Sequence, residues 1–570
     1  MSTSVERKHF GEITYGNNIF FSMDGEETFE LIYDAISQAE NSIHIAGYDL
    51  DPSLNFVRKG GINTDKVGTG KFGTSIIDRN SLLSNSKSSR LIKREDVVDS
   101  KIPQQDALFA ISDSSRVWQH PIHRNSYKRF QELIIEKARG GAVVKIIVWQ
   151  PRLPLRILPG ADERGLDGRA EEVEVLNKLA KKYGIDQNLV VKIDNTSPTL
   201  SSAHHEKIIV IDNKIGFCGG FDLSRGKWDT SKHDYNDPRR DQYSEPWHDL
   251  HAKVQGPIVW DLAYHFNQRW AYYEVKDEKK IRAMNLKPAK FMSEKGDTKI
   301  VALRTWEGND KDGGILAWYA NTIRKAKAII YIENQFPFQN EFITRILCKR
   351  LKEQKGLRVI IVGPMEPNLP GLIGSILSKT SVNDVNKHLK RIRDAGDSGK
   401  RVGTYSLLSQ DKKTKKLRQI YVHSKLLIVD DKWITIGSAN TDKNGFKDST
   451  EVNIGITSGQ LSKELRTRLW REHLGLVEKT EDSTNKHQAN PLPKVRPERR
   501  NLESSSYANY ANIEDFDSGF NIWKKIADHN GSSVSNNGNI IGHIYYYNFE
   551  EMNLPPPYPG AKGGSKFSLL

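Results

Sequence analysis

With 570 residues, 37% of them hydrophobic and 27% charged, the chain is long enough for two domains with buried cores plus additional segments. A mean hydropathy of -0.59 points to polar insertions around an ordinary core. No window approaches the roughly eighteen apolar residues of a helical membrane span. The net charge of +14 favours anionic partners: phospholipid surfaces, nucleic acid or phosphorylated small molecules. The opening MSTSVERKHFGEITYGNN lacks the apolar core of a secretory signal, so the expectation is cytoplasmic synthesis. Only Cys218 and Cys348 occur, which excludes a disulfide framework and a cysteine zinc site. Any metal would rest on oxygen or imidazole ligands.

Taken in chain order, the first unit has a helical pattern with Thr28, Ile32, Ala35, Ile36 and Ala39 facing inward. It then enters SIHIAGYDLDP, a strand ending in acidic residues and Pro52. The stretch from about 55 to 115 is polar, rich in Ser, Lys, Asp and Gly, and reads as an insertion near the sheet ends. VVKIIVW at 143–149 is a β-branched run that reads as a strand covered on both faces. The plan then repeats: a helix over 315–326, the strand AIIYIENQFPF, and a second buried run, LRVIIVGPM at 357–365. The segment 479–506 is polar and Pro/Arg-rich and reads as a linker. IIGHIYYYNFEE reads as a strand, and PPPYPG as an ordered wrap over the body. The organisation expected is residues 1–270 as one α/β domain, 271–478 as a second, and 479–570 as an extension packing on the body.

Each half reaches the same constellation. His205, Lys207 and Asp212 recur as His423, Lys425 and Asp430 at identical spacing. Glycine turns follow both, leading to Asp222 and Asn440 at equal distance from the histidines. One such match arises by chance at about 0.1 per sequence of this composition, and two in matching contexts are far rarer. Residues two apart on a strand share a face, so each His projects with its Lys, while the motif Asp lies at the far end of an apolar run. Two pairs brought together would present two imidazoles and two ammonium groups to one phosphate.

Residues 14–475 resemble the phospholipase D superfamily, in the branch that holds the eukaryotic-type phospholipases D. The resemblance is carried by HHEK at 204–207, GGFDLSRGKWDTSKH at 219–233 and EPWHDLHAKVQGPIVWDLAYHFNQRW at 245–270. IYIENQFPF at 330–338 and IYVHSKLLIVDDKWITIGSAN at 420–440 complete it. It implies two tandem α/β sandwich domains packed around one shared active site. It also implies a two-step displacement at phosphorus, in which His205 attacks to form a phosphohistidine. His423 protonates the leaving alcohol and then activates water. Lys207, Lys425 and Asn440 would bind the non-bridging oxygens. Glu451 and Asp249 would orient His205 and His423 across the interface. Asp212 and Asp430 would fix structure and charge near the domain interface.

By the same resemblance His204, Trp247, Asn334, Gln335 and Phe336 line or support the pocket. Asp222 departs from the Asn or Ser of many members; an ionised carboxylate cannot donate to a phosphate oxygen, which leaves its role open. The implied activity is hydrolysis of glycerophospholipids to phosphatidate and a free head-group alcohol, with a primary alcohol able to replace water. No cofactor is required for that chemistry; the branch includes calcium-dependent members, but no calcium loop is identifiable from spacing. The partner implied is a phospholipid membrane surface, met peripherally by the cell's own enzyme or by a toxin delivered into other cells. A nuclease reading uses the same four residues, but no RRM, KH or zinc-finger signature accompanies it. A cardiolipin-type phosphatidyl transferase, or a catalytically dead lipid-binding scaffold, completes the alternatives.

Overall fold

A computed structural model describes residues 10–58, 127–150, 168–196, 202–241, 244–275, 296–306, 314–365, 371–476 and 512–547. Met1–Val57 and Lys128–Leu570 cluster into one compact unit, and Arg58–Tyr127 into another. The polar insertion from residue 59 onward, the 479–506 linker and PPPYPG lie outside the described residues.

The first half runs β1 (Thr14–Met23), α1 (Asp24–Ser37), β2 (Ser42–Gly47), α2 (Phe130–Arg139), β3 (Val143–Trp149), α3 (Gly168–Lys182) and β4 (Leu189–Asp194). It continues through β5 (Ile208–Ile211), β6 (Ile215–Gly219), β7 (Trp247–His248), β8 (Leu250–Gln255) and α4 (Ile258–Val275). The second half runs β9 (Thr298–Thr305), α5 (Gly314–Lys325), β10 (Ile329–Asn334), α6 (Glu341–Glu353), β11 (Arg358–Val362), α7 (Gly371–Ala395) and β12 (Val402–Gln410). It continues through β13 (Leu417–Val422), β14 (Lys425–Val429), β15 (Trp433–Gly437), β16 (Glu451–Thr457) and α8 (Gly459–His473). Then come α9 (Phe516–Ser535) and β17 (Ile544–Tyr546).

The two sheets have the same order. In the first, neighbours run β4-β3-β2-β5-β6-β8-β1. In the second they run β12-β11-β10-β14-β15-β16-β9. β2, β3 and β4 are mutually parallel, as are β10, β11 and β12, and the helices between them make the crossovers that parallel neighbours require. β1 also pairs with β9, so the two sheets share an edge. β6 and β8 lie against β15 and β16.

Side-chain parity divides the core. On β10, Ile329 and Tyr331 enter the inner cluster, which holds residues of both halves with α4, α8 and α9. Ile330 and Ile332 point the other way, into the cluster under α5, α6 and α7. Continuous apolar strands are therefore what this layering demands, and VVKIIVW coincides with β3. The inward-facing set expected of α1 and the turn that follows it (Thr28, Ile32, Ala35, Ile36 and Ala39) is buried throughout. The boundary expected at residue 270 needs correction: it falls inside α4, whose buried Trp270 and Ala271 keep the helix packed as far as Val275. β17 pairs with β12, and Trp523 of α9 packs on Tyr331, Tyr405 and Trp470.

Candidate active site

Both motif histidines stand in extended segments just before the strand that follows them. β5 begins only after Lys207, and β14 begins at Lys425. Each segment is pinned by the opposite half. The His205 N–H donates to Thr450 O, and the His423 N–H donates to His248 O, both at 2.8 Å. His204 bridges Thr450 in parallel, and β7 pairs in parallel with β13 at Trp247–Tyr421 and His248–Val422. Each bridge delivers the next residue, a carboxylate, beside an imidazole. Nδ1 of His205 lies 3.0 and 3.1 Å from the two oxygens of Glu451. Nδ1 of His423 lies 2.7 Å from Asp249 Oδ2. The pairing assigned by resemblance is thus the one the structure makes. With Nδ1 so held, Nε2 is the nitrogen of each ring that could react.

The lysines are held in matching ways. Lys207 Nζ donates to His205 O at 2.9 Å, and Lys425 Nζ donates to His423 O at 2.5 Å. Lys207 also pairs with Asp222 Oδ2 at 3.4 Å and faces the Tyr48 ring, which stands edge-on to His205. Lys425 donates instead to Gln335 Oε1 at 3.1 Å, which also accepts from Asn440 Nδ2 at 3.3 Å. Asp222 is therefore the counter-ion of Lys207. Its other oxygen accepts from the backbone N–H groups of Tyr48 and Asp49. In the second half that clamp comes from the strand end: Asn334 Oδ1 accepts from Phe336 and Thr441 N–H. Gly220 has to be glycine because a Cβ there would run into the Asp249 carboxylate.

Electrostatics joins the two motifs into one site. Burial holds His205 well below the usual imidazole range, reinforced by Lys207 and then Lys425. Burial does the same to His423, followed by Lys425, Lys227 and Lys207. Each imidazole thus feels the lysine of the other half. Burial pushes Glu451 up to about 8 and Asp249 to about 6, against the pull of nearby lysines, and lowers Lys425 to about 7. His205 keeps 15% of its side chain exposed, so a substrate can reach it.

Other expected residues serve as supports. His204 is buried between Asp194, at 3.5 Å, and Thr450 Oγ1, at 2.9 Å. Trp247 packs on His423 and Tyr421, with Lys227 Nζ 3.6 Å from its ring centre. Phe336 is half-buried in the turn held by Asn334. Asp212 and Asp430 make structural bonds, each within its own half. Asp212 accepts the N–H groups of Glu40, Asn41 and Ser42, and Asp430 those of Lys327, Ala328 and Ile329. Both have positive φ, at 52° and 53°, and cap the entry to β2 and β10. Tyr48, Lys227 and Ser438, whose hydroxyl donates to Glu451 at 2.5 Å, were not singled out from sequence. Lys227 and Ser438 stand inside the quoted motif strings and Tyr48 within SIHIAGYDLDP, but contacts between residues so far apart in sequence carry no spacing signal.

Comparison with known proteins finds two related family models in tandem. Residues 109–308 match the family model described as Phospholipase D, and 319–472 match Cardiolipin synthase, PLD-like domain. The chain is similar to phospholipase D alpha 2 of Arabidopsis thaliana, 26% identical over 482 residues, covering 61% of this chain and 59% of that one. It is 27% identical over 478 residues to phospholipase D alpha 2 of Brassica oleracea var. capitata, with the same coverage. It thus spans about 59% of the length of these curated relatives. Among solved structures, phosphatidylserine synthase of Haemophilus influenzae Rd KW20 aligns with TM-score 0.47 and 11% identity, covering 80% of this chain and 85% of that one. With two matched models in tandem and paired motifs meeting in one site, the chain belongs to the phospholipase D superfamily.

Proposed function

We propose that the chain is a phospholipase D, cleaving glycerophospholipids to phosphatidate and a free head-group alcohol at a membrane surface. The observation that carries this reading is the crossed pair of His–carboxylate contacts, His205–Glu451 and His423–Asp249, with a lysine beside each. A neutral His205, held so by burial and the lysines, attacks phosphorus through Nε2. The N–P bond forms as the P–O bond to the head group breaks, and His423 gives its Nε2 proton to the departing alkoxide. Lys207, Lys425 and Asn440 hold the non-bridging oxygens, where charge develops. The phosphodiester anion offsets the lysines' field, which favours the protonated His423 that this step needs. His423 then takes a proton from water, whose oxygen attacks phosphorus and releases His205. None of these steps calls on a metal or organic cofactor.

The test uses mixed phosphatidylcholine and phosphatidylethanolamine vesicles, with and without calcium and ethanol. Phosphatidate, and phosphatidylethanol when ethanol is present, should appear with the wild-type protein. Its absence from every lipid with folded protein would sink the substrate assignment.

A further inference from the structure

Behind the His423–Asp249 pair lies a second group of buried side chains that the proposed reaction does not use. Asp24 opens α1, His233 lies on the loop between β6 and β7, His248 is in β7, and Glu472 is near the end of α8. All four are buried, and one ligand atom from each lies within 4.8 Å of the others. His248 Nδ1 is 2.9 Å from Asp24 Oδ1 and 3.2 Å from Glu472 Oε1. His233 Nε2 is 3.5 Å from both Asp24 Oδ2 and Glu472 Oε1. Asp24 Oδ2, His233 Nε2 and Glu472 Oε1 make no hydrogen bond, although each is cut off from water. Their contacts are ion-pair distances without an aligned hydrogen bond, an arrangement that a cation shared among the three atoms would satisfy together.

We propose that Asp24, His233, His248 and Glu472 form a buried site for a divalent transition-metal ion of the zinc class. Ligands about 2.0–2.1 Å from a tetrahedral ion lie about 3.3 Å from one another; the four His–carboxylate contacts here run from 2.9 to 3.5 Å, and one ligand atom from each residue lies within 4.8 Å of the rest. The far side of each imidazole is arranged as metal-bound histidines require. His233 Nδ1 lies 2.9 Å from Asp229 Oδ2, and His248 Nε2 lies 3.0 Å from Glu333 Oε2. Those carboxylates are themselves held, Asp229 by Arg240 and the Trp247 N–H, and Glu333 by Tyr331, Ser424 and His473. Asp24 and His233 also sit in left-handed backbone, at φ 58° and 44°, a conformation that persists where surrounding structure enforces it. Two imidazoles with two carboxylates suit zinc-class ions; calcium takes six to eight oxygens.

The ion would not touch the substrate. It would join Glu472 of the second half to three residues of the first and fix His248, whose carbonyl holds the His423 N–H and whose neighbour is Asp249. It is a positioning site, independent of which phosphodiester is cleaved.

The experiment is elemental analysis of the full chain purified without chelator and equilibrated with zinc, with X-ray absorption at the zinc edge. The expected result is about one ion per chain, bound through nitrogen and oxygen at about 2.0–2.1 Å. Glu472→Gln and His233→Gln should each retain less than a tenth of it, and His205→Ala should retain all. Chelation should lower the thermal midpoint of the wild type by several degrees and leave that of Glu472→Gln unmoved. A folded wild type that takes up no zinc would overturn the proposal without bearing on phosphatidate release. So would full retention by Glu472→Gln, or an absorption spectrum without imidazole.

Discussion

The two halves carry the same sheet, motif and backbone bridge, yet differ in what stands behind each motif. In the first half the residue between the motif His and Lys is Glu206, bound by Arg269 at 2.5 Å; Arg269 also binds Asp194 at 2.5 Å. A guanidinium that never loses its proton holds two buried carboxylates ionised. In the second half Ser424 takes that place and donates to Glu333, which is surrounded by His248, His473 and Tyr331. Imidazoles replace the guanidinium there. The two halves keep the same paired His and Lys while the groups behind them differ. The proposed roles sit on that division: a nucleophile in front of carboxylates held by a guanidinium, and an acid–base imidazole in front of a carboxylate held by imidazoles and hydroxyls.

Replacing His205 or His423 with Ala should cost the most, roughly 10³–10⁴-fold or more in kcat with a natural head group. A substrate with a p-nitrophenol leaving group breaks the symmetry, because its departure needs no proton. His423→Ala should then release p-nitrophenol and accumulate phosphoenzyme, while His205→Ala should do neither. Equal behaviour of the two variants would refute the division of labour.

Next are the crossed carboxylates. Glu451→Gln and Asp249→Asn can present the wrong hydrogen-bonding group to Nδ1, and each should lower kcat by about 10²–10⁴-fold with KM little changed, as measured on vesicles. The rears should separate in stability. Arg269→Met leaves Glu206 and Asp194 buried without their cation and should cost about 3–5 kcal/mol in urea unfolding. His473→Gln removes one of several partners of Glu333 and should cost about 1–2 kcal/mol.

The smallest effect concerns pH. Burial lowers Lys425 to about 7, so the free enzyme loses that positive charge as pH rises through neutrality. Its kcat/KM should fall on the alkaline side by up to about tenfold, with kcat falling at higher pH because a bound anion restores the ammonium. Lys425→Arg, charged throughout, should flatten that alkaline limb.

Much of this was legible in the sequence because it is written in local spacing. The repeated His, Lys and Asp intervals located both motifs, and the runs at 143–149 and 357–365 gave β3 and β11. Resemblance named Glu451 and Asp249. That Asp212 and Asp430 serve structure was legible, but not what they bond, since a carboxylate that caps three N–H groups some 100 to 170 residues away leaves no local pattern. The cluster of Asp24, His233, His248 and Glu472 was hidden for the same reason: its members are drawn from α1, a loop, β7 and α8. Motif spacing reports neighbours along one strand, whereas these groups meet only after both sheets have packed.

The exchange of carboxylates between halves also bears on how the protein is made. Asp249 is complete long before His423 is synthesised, but His205 must wait for Glu451, 246 residues further on. A ribosome-bound chain that has finished its first half therefore holds an untethered imidazole and no acid–base partner. The crossed contacts, and any chemistry that depends on them, can therefore form only after both halves have been synthesised and have packed together.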